Sequence, residues 1–242
     1  MPNMLFFGKS DVGLKRTRNE DTFVVSPEFG FCLAADGMGG AAAGELASRI
    51  FAETTATIFS GSNGRSEKET LALVKKSFVV ANQRILDHTE QNIEHKGMGC
   101  TAELVAFANR GYVLGHIGDS RTYRLREGQL QQLTRDHSFV QDQINQGLIT
   151  PKQAKQHHLR NVILRAVGVT ENLAPDLLKG KTLPGDLFLL CSDGLTDMVD
   201  DALIQKVLSS ASPLFQKVNE LIEAANSAGG SDNVTVVLSE IE

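Results

Sequence analysis

The chain is poor in the features that mark secreted, membrane-spanning or nucleic-acid-binding proteins. Its three cysteines, Cys32, Cys100 and Cys191, are widely spaced and set among apolar residues. That pattern excludes a disulfide framework and a zinc site built on paired cysteines, and it points to reduced, buried thiols in a cytoplasmic protein. No apolar run approaches the ~20 residues of a membrane span. The start, Met1 to Lys9, lacks the charged region and long apolar core of a signal peptide. Positive charge is also in deficit, with 24 Lys and Arg against 29 Asp and Glu for a net charge of −5. A nucleic-acid partner needs a clustered positive face, so none is expected. Pro/Ser-rich linkers, internal repeats and low-complexity tracts are missing too, apart from a short polar patch at Ser60–Arg65. A chain of this size can bury roughly 70% of its unfolded surface, and one domain over residues 1–242 is expected.

What is present is a globular composition: 41% hydrophobic residues, near half once the 22 glycines are counted. Apolar spacing predicts a helix over Ala43–Phe59, with Leu46, Ala47, Ile50, Phe51 and Ile58 on its stripe. A second helix starts at Ser66, where Ser-x-x-Glu69 reads as a capping box, and runs through Val74, Phe78, Ala81 and Ile85. From Gly99 the period changes to that of strands: Thr101–Ala108, Tyr112–Ile117, Ser120–Leu125 and Gln129–Leu133, with turns at Asn109-Arg110-Gly111 and Arg126-Glu127-Gly128. A polar helical stretch from His137 to about His158 is broken at Gly147 and restarted at Thr150-Pro151. Strands follow at Leu173–Leu178 and Leu187–Cys191, then helices over Asp200–Ser209 and Ser212–Ala225, and a last strand over Val234–Leu238. Strands and helices in separate runs indicate an antiparallel α+β layered fold.

Three apolar runs stop at an aspartate followed by a small residue: Cys32 to Asp36-Gly37, Leu114 to Asp119-Ser120, and Phe188 to Asp193-Gly194. A fourth, Asp232, precedes the last strand. One Asp-Gly pair is usually just a turn. Repetition of the pattern is different, because the end of one antiparallel strand lies beside the start of the next and four carboxylates can converge on one edge. Unpaired carboxylates gathered there repel and need a cation. An oxygen-only set without Cys or His at ligand spacing selects Mg²⁺ or Mn²⁺ over Zn²⁺, and no EF-hand loop is present. The stretch from Asp11 to Asp21 adds Arg16, Glu20 and Asp21, a phosphate-matching fork beside further acids or a solvated charged turn.

Together these segments resemble the metal-dependent Ser/Thr protein phosphatases, the type 2C or PPM family, in compact bacterial form. The match runs in order along nearly the whole chain: Arg16-x-x-Asn19-Glu20-Asp21, Ala35-Asp36-Gly37-Met38-Gly39-Gly40, Gly97-x-Gly-Cys-Thr101, Gly118-Asp119-Ser120-Arg121, Leu133-x-x-Asp-His137-Ser138, Arg160-Asn161-Val162, Ser192-Asp193-Gly194 and Gly230-Ser-Asp232-Asn233. The resemblance implies a four-layer α-β-β-α sandwich of two antiparallel sheets flanked by helices, with a metal site at one edge. Asp36 would bridge two ions, Mn²⁺ or Mg²⁺, with the Gly37 carbonyl on one of them and Asp193 and Asp232 on the other. Asp21 and Glu20 would hold metal through water. Asp119 and Asp193 would share a third ion, Arg16 would clamp the phosphate, Asn233 would support the site, and residues 137–167 would form a flap.

The implied activity is hydrolysis of phosphoserine and phosphothreonine in proteins by a metal-bridging hydroxide attacking phosphorus in line, opposing a bacterial Ser/Thr kinase. The implied partners are phosphorylated proteins, with no membrane and no nucleic acid, and the implied state is a cytoplasmic monomer. None of the three cysteines is followed by an arginine after five residues, which excludes the thiol phosphatase loop. Met38 and Ala41 stand where many relatives carry His, so the general acid is open, with His137 and His157 as candidates. His116, alternating into a strand, reads as a core group or one supporting the site. A catalytically weak regulator that binds phosphoproteins is the alternative, and a two-metal phosphodiesterase or nuclease fits the acids but not the acidic charge.

Overall fold

The computed structural model describes residues 3–39, 43–61, 65–109 and 111–242. Its strands are β1 (Met4–Asp11), β2 (Thr22–Ser26), β3 (Phe31–Ala35), β4 (Gly37–Met38), β5 (Gly99–Cys100), β6 (Ala102–Ala108), β7 (Gly111–Ile117), β8 (Arg121–Arg126), β9 (Gln129–Gln132), β10 (Asp176–Gly180), β11 (Leu187–Cys191) and β12 (Val234–Ile241). The helices are α1 (Ala43–Phe59), α2 (Glu67–Gln91), α3 (Phe139–Asn145), α4 (Pro151–Ala154), α5 (Asp193–Thr196), α6 (Asp201–Leu208) and α7 (Leu214–Ser227).

Alternation along the central strands explains the layering. In β3, Phe31, Leu33 and Ala35 enter one core, while Cys32 and Ala34 enter another. In β11, Leu187, Leu189 and Cys191 face helices, and Phe188 and Leu190 face the opposite sheet. Such runs read as continuously apolar because both faces are covered. The strands form two five-stranded antiparallel sheets, β1-β12-β11-β8-β9 and β10-β7-β6-β3-β2, with β4 and β5 as a separate pair. Helices α1 and α2 cover the second sheet, and α7 covers the first with α6 packed beside it. The expected α-β-β-α sandwich is therefore present. Between the sheets, the Phe188 ring meets Phe107 and Tyr112 edge-on at 5.6 and 4.8 Å. Gly115 lets α2 approach closely, since a Cβ there would lie 2.4 Å from the Phe78 ring.

Local signals were accurate where the chain acts locally. The Ser66 capping box on α2 forms, and Thr150 with Gln153 caps α4 with Pro151 in its first turn. Non-local pairing set the rest. Strand β1 was not expected, because its weak alternation is resolved only by the full-length register Met4↔Ile241 to Asp11↔Val234 with β12. Strand β10 begins at Asp176 rather than near Leu173, where it pairs with His116 of β7. The segment expected as a flap, residues 137–167, carries the bridges Ser138↔Ile163 and Cys100↔Val167, and α3 within it buries no residue fully. Ala41, Gly40 and Arg110 lie outside the described residues. Among the described residues, no helix is long and apolar enough to cross a membrane.

One buried polar group ties the two sheets together. Glu103 of β6 and His116 of β7, both 0% exposed, are hydrogen-bonded to each other, and Glu103 accepts the Thr122 hydroxyl from β8 across the sandwich. The second ring nitrogen of His116 faces the Arg135 carbonyl at 2.9 Å. Both ring nitrogens thus face oxygens, so beside an ionised Glu103 His116 is an imidazolium, a pairing that opposes without cancelling the rise burial imposes on the Glu103 carboxyl. Burial alone would lower the His116 pKa, but the Glu103 charge and hydrogen bond override it and raise it to about 9. Removing one partner strands the other, so Glu103→Ala should lower stability in urea by about 3–5 kcal/mol. A histidine with a raised folded-state pKa stabilises fully below its unfolded value near 6.5 and loses that contribution as pH rises through about 9. Unfolding measured across that window should show this decline in the native chain and not in Glu103→Gln.

Candidate functional site

The acidic strand ends meet at one edge, where antiparallel neighbours place the end of one strand beside the start of the next. Asp36 follows β3, Asp119 follows β7, Asp193 follows β11 at the start of α5, and Asp232 precedes β12. Asp21, just before β2, joins them. Burial first, and then the charges of Asp21, Asp193, Asp119 and Asp232, hold Asp36 well above the usual carboxylate range. Asp193 is raised for the same reasons, burial first and then the charges of Asp119 and Asp197. Burial pushes Asp21 up to about 6 against the opposing hydrogen bonds of Thr235 and Ser192. Asp119 is pushed up to about 7, by burial and then by Asp136.

Backbone contacts seat these side chains. The Asp36 amide donates to Thr101 Oγ1 at 3.0 Å, Thr101 returns its own amide to the Asp36 carbonyl at 2.8 Å, and the Thr101 and Ser120 hydroxyls are 2.7 Å apart. Asp21 Oδ2 accepts from Thr235 Oγ1 at 2.6 Å and Ser192 Oγ at 2.8 Å. Gly37 has no room for a side chain, since a Cβ would lie 2.1 Å from the Gly44 carbonyl oxygen. That glycine pair lets the start of α1 press against β4. The Gly37 amide donates to the Glu20 carbonyl at 3.2 Å, fixing Glu20 beside the site.

Asn233 is a clamp for the entry segment. Its Oδ1 accepts the Glu20 amide at 2.8 Å, and its Nδ2 donates to the carbonyls of Val12 at 3.0 Å and Arg18 at 2.9 Å. Arg16 Nη2 lies 2.6 Å from Asp232 Oδ2, with half of the arginine side chain exposed. A cavity of about 680 Å³ is lined by Arg16, Glu20, Asp36, Gly37, Asp193 and Asp232 among others, and Met38 sits in its wall. An adjoining cavity of about 780 Å³ shares Asp193 and Asn161 and runs between the flap and α5–α6. Among the described residues, no histidine lines either cavity. His137, read as a solvated flap residue and a candidate acid, is buried against His116 instead. His157 packs on Phe139 and His158. Asp197, which faces the second cavity, was not singled out by sequence because it caps the C-terminal end of α5 rather than following a strand.

The arrangement fits a hard divalent cation on its donor chemistry. Asp21 Oδ1, Asp119 Oδ1 and Asp193 Oδ1 are buried without a hydrogen-bond partner, a costly state for carboxylate oxygens. All available donors are oxygens. Among the described residues, no three His, Cys, Asp or Glu side chains close into a compact metal cage. Asp232 is turned to Arg16 and Asp21 to two hydroxyls, which leaves an open set suited to ions that keep several waters.

The sequence matches the family model for protein phosphatase 2C over residues 15–239. The Ser/Thr protein phosphatase PstP of Mycobacterium tuberculosis is 38% identical over 236 residues, covering 98% of this chain and 45% of the relative, so the chain spans about half of that protein. The protein phosphatase PhpP of Streptococcus pneumoniae is 34% identical over 232 residues, covering 95% of this chain and 94% of the relative. Among solved structures, M. tuberculosis PstP superposes with a TM-score of 0.92 at 38% identity, covering 99% of both chains. A PstP catalytic domain in complex with 2 manganese ions gives 0.90 at 36% identity, covering 98% of each. A family pattern matched over residues 15–239, on a sandwich that brings the same acids to one edge, places this chain in the protein phosphatase 2C family.

Proposed function

We propose that this chain is a metal-dependent phosphatase that hydrolyses phosphoserine and phosphothreonine in proteins, opposing a Ser/Thr kinase as a one-domain monomer in a bacterial cytoplasm. The observation that carries this reading is the set of buried, mutually repelling carboxylates at one edge, with orphan oxygens on Asp21, Asp119 and Asp193, of which Asp36 and Asp193 line one cavity with Arg16. The names of the bacterial relatives support the substrate class, PstP being a Ser/Thr protein phosphatase and PhpP a protein phosphatase. On this reading Asp36, the Gly37 carbonyl, Asp193 and Asp232 hold two divalent ions, Mn²⁺ or Mg²⁺, Asp21 and Glu20 act through water, and Asp119 with Asp193 takes a third. When bound, the ions neutralise phosphoryl oxygens and lower the pKa of water enough for it to attack near neutral pH.

The protein's own groups supply the rest. Arg16 presents a planar fork of five donors, of which the Asp232 contact engages one end. The fork matches phosphate oxygens and orients the ester for in-line displacement. Asn233 holds residues 12–20, and with them Arg16 and Glu20, against the start of β12. Among the described residues no histidine lines the cavity to protonate the leaving serine or threonine oxygen.

Hydrolysis of a phosphothreonine peptide should require Mn²⁺ or Mg²⁺ and stop with chelator. Asp36→Asn and Asp193→Asn should each lose at least about a hundredfold, the scale of losing several kcal/mol of charge stabilisation. Activity that survives chelation or either change would exclude the two-ion reading, and a phosphopeptide that is bound but not cleaved would favour the regulator. Arg16→Ala should cost about 10- to 100-fold in kcat/KM, the range for one charge-assisted hydrogen-bonded contact. Asp119→Asn should cause a partial loss that added metal does not restore. Mn²⁺ at a hundred times its Kd should raise native stability by about 2.7 kcal/mol, read as a shift in thermal melting.

A further inference from the structure

His116 and His137 are buried, lie beside the acidic edge and have no part in the chemistry described so far. Their rings pack with centroids 4.5 Å apart, tilted by 32°. His116 is the imidazolium of the Glu103 pair, so a second charge on the adjoining ring is unfavourable. His137 accepts the Gly118 amide at Nδ1, 3.2 Å away, which requires that nitrogen to carry no hydrogen. Its Nε2 then bears the proton and points to Asp176 Oδ2 at 3.3 Å; Arg165 Nη1 lies 3.3 Å from the same nitrogen and donates instead to Asp176 Oδ1 at 3.4 Å. Burial first, and then the His116 charge, push the His137 pKa down to about 4, consistent with a neutral ring.

The His137 backbone completes the contact by donating its amide to the Gly118 carbonyl at 2.6 Å. Gly118 is thus held at both its N–H and its C=O by one residue. It adopts φ of 108°, in the left-handed region, and a Cβ there would lie 2.6 Å from the Thr101 side chain. The next residue is Asp119, whose Oδ1 is buried and unpartnered. Neighbouring contacts fasten the same two segments: Arg121 grips Asp136 through two nitrogens at 2.9 and 2.7 Å, and the Thr122 amide donates to Thr134 Oγ1 at 3.1 Å.

We propose that His137 is a positioning residue for Asp119, gripping Gly118 at both polar groups so that the carboxylate after it is aimed into the metal edge. His116, fixed as a cation by Glu103, keeps the His137 ring in the accepting form. The flap begins at His137, so its root and the Asp119 turn are one mechanical unit. This inference rests on the reading of Asp119 as a metal-holding residue.

The test combines ring spectroscopy with metal binding on the full chain. In the Mg²⁺-loaded protein, nitrogen-15 spectra should show His137 neutral with its hydrogen on Nε2, and the Gly118 amide should be protected from exchange. Calorimetric titration with Mn²⁺ should show a weaker step that Asp119→Asn abolishes. His137→Leu should weaken that step by about 10- to 100-fold, as when a group supporting a ligand is lost, and leave the tighter steps unchanged. His137→Asn, whose Oδ1 can accept in place of Nδ1, should recover most of the loss. A hydrogen on Nδ1 overturns the proposal, as does a His137→Leu chain that binds Mn²⁺ like the native one while Asp119→Asn does not. Failure of His137→Asn to recover where His137→Leu loses the step assigns the ring to packing and also overturns it. If His137→Leu does not fold, the ring spectra of the unaltered chain decide. An Asp119→Asn chain that binds Mn²⁺ like the native one removes the reading of Asp119 and the inference with it.

Discussion

Buried carboxylates that repel one another are the constraint around which the rest of the molecule is arranged. A carboxylate taken from water is costly, and several within reach of each other are costlier still. Here Asp21, Asp36, Asp119 and Asp193 are all raised by burial and by neighbouring charge, and three of them leave an oxygen with no partner. Such an arrangement persists only because the scaffold over-determines it. Strands β3, β7 and β11 end at the edge with their apolar residues locked into cores on both faces, so the residues that follow have nowhere else to go.

The two sheets reach that edge in a fixed relation. Asp36 and Asp119 come from one sheet, Asp193 and Asp232 from the other. Aromatic contacts of Phe188 fill the space between the sheets, and the Glu103–His116 pair with Thr122 adds a directional link. A slip of one sheet over the other would separate the acids and strand a buried charge. Register and charge placement therefore depend on each other. The same pair reaches the Arg135 carbonyl, so the root of the flap is referred to the sandwich core rather than to the surface.

Arg16 shows how closely positive and negative requirements are set. Asp232 holds its guanidinium at 2.6 Å, and the Asp232 charge raises an already basic group further. The arginine belongs to an exposed segment that Asn233 stitches to the start of β12 through three hydrogen bonds, with the Leu14 and Lys15 amides donating to the Gly230 carbonyl nearby. The guanidinium and the entry segment are thus tied to adjacent residues, Asp232 and Asn233.

Much of this was legible in the sequence because it depends on short-range chemistry. The apolar runs ending in Asp36, Asp119 and Asp193 gave both the central strands and the site residues, since a strand buried on both faces leaves a continuous apolar signature. Helices α1 and α2 were set by spacing and, for α2, by the Ser66 capping box. The motif order also disclosed the family. Other features required the folded chain. Strand β1 has little signature of its own and exists through its pairing with β12 at the far end of the chain. The ionic state of His116 and the role of His137 could not be read from spacing, because each depends on partners drawn from three separate segments. By itself the sequence determined which residues carry charge and where strands end. Only the tertiary structure decided which charges face one another, because burial and proximity, and not residue identity, set the cost of each.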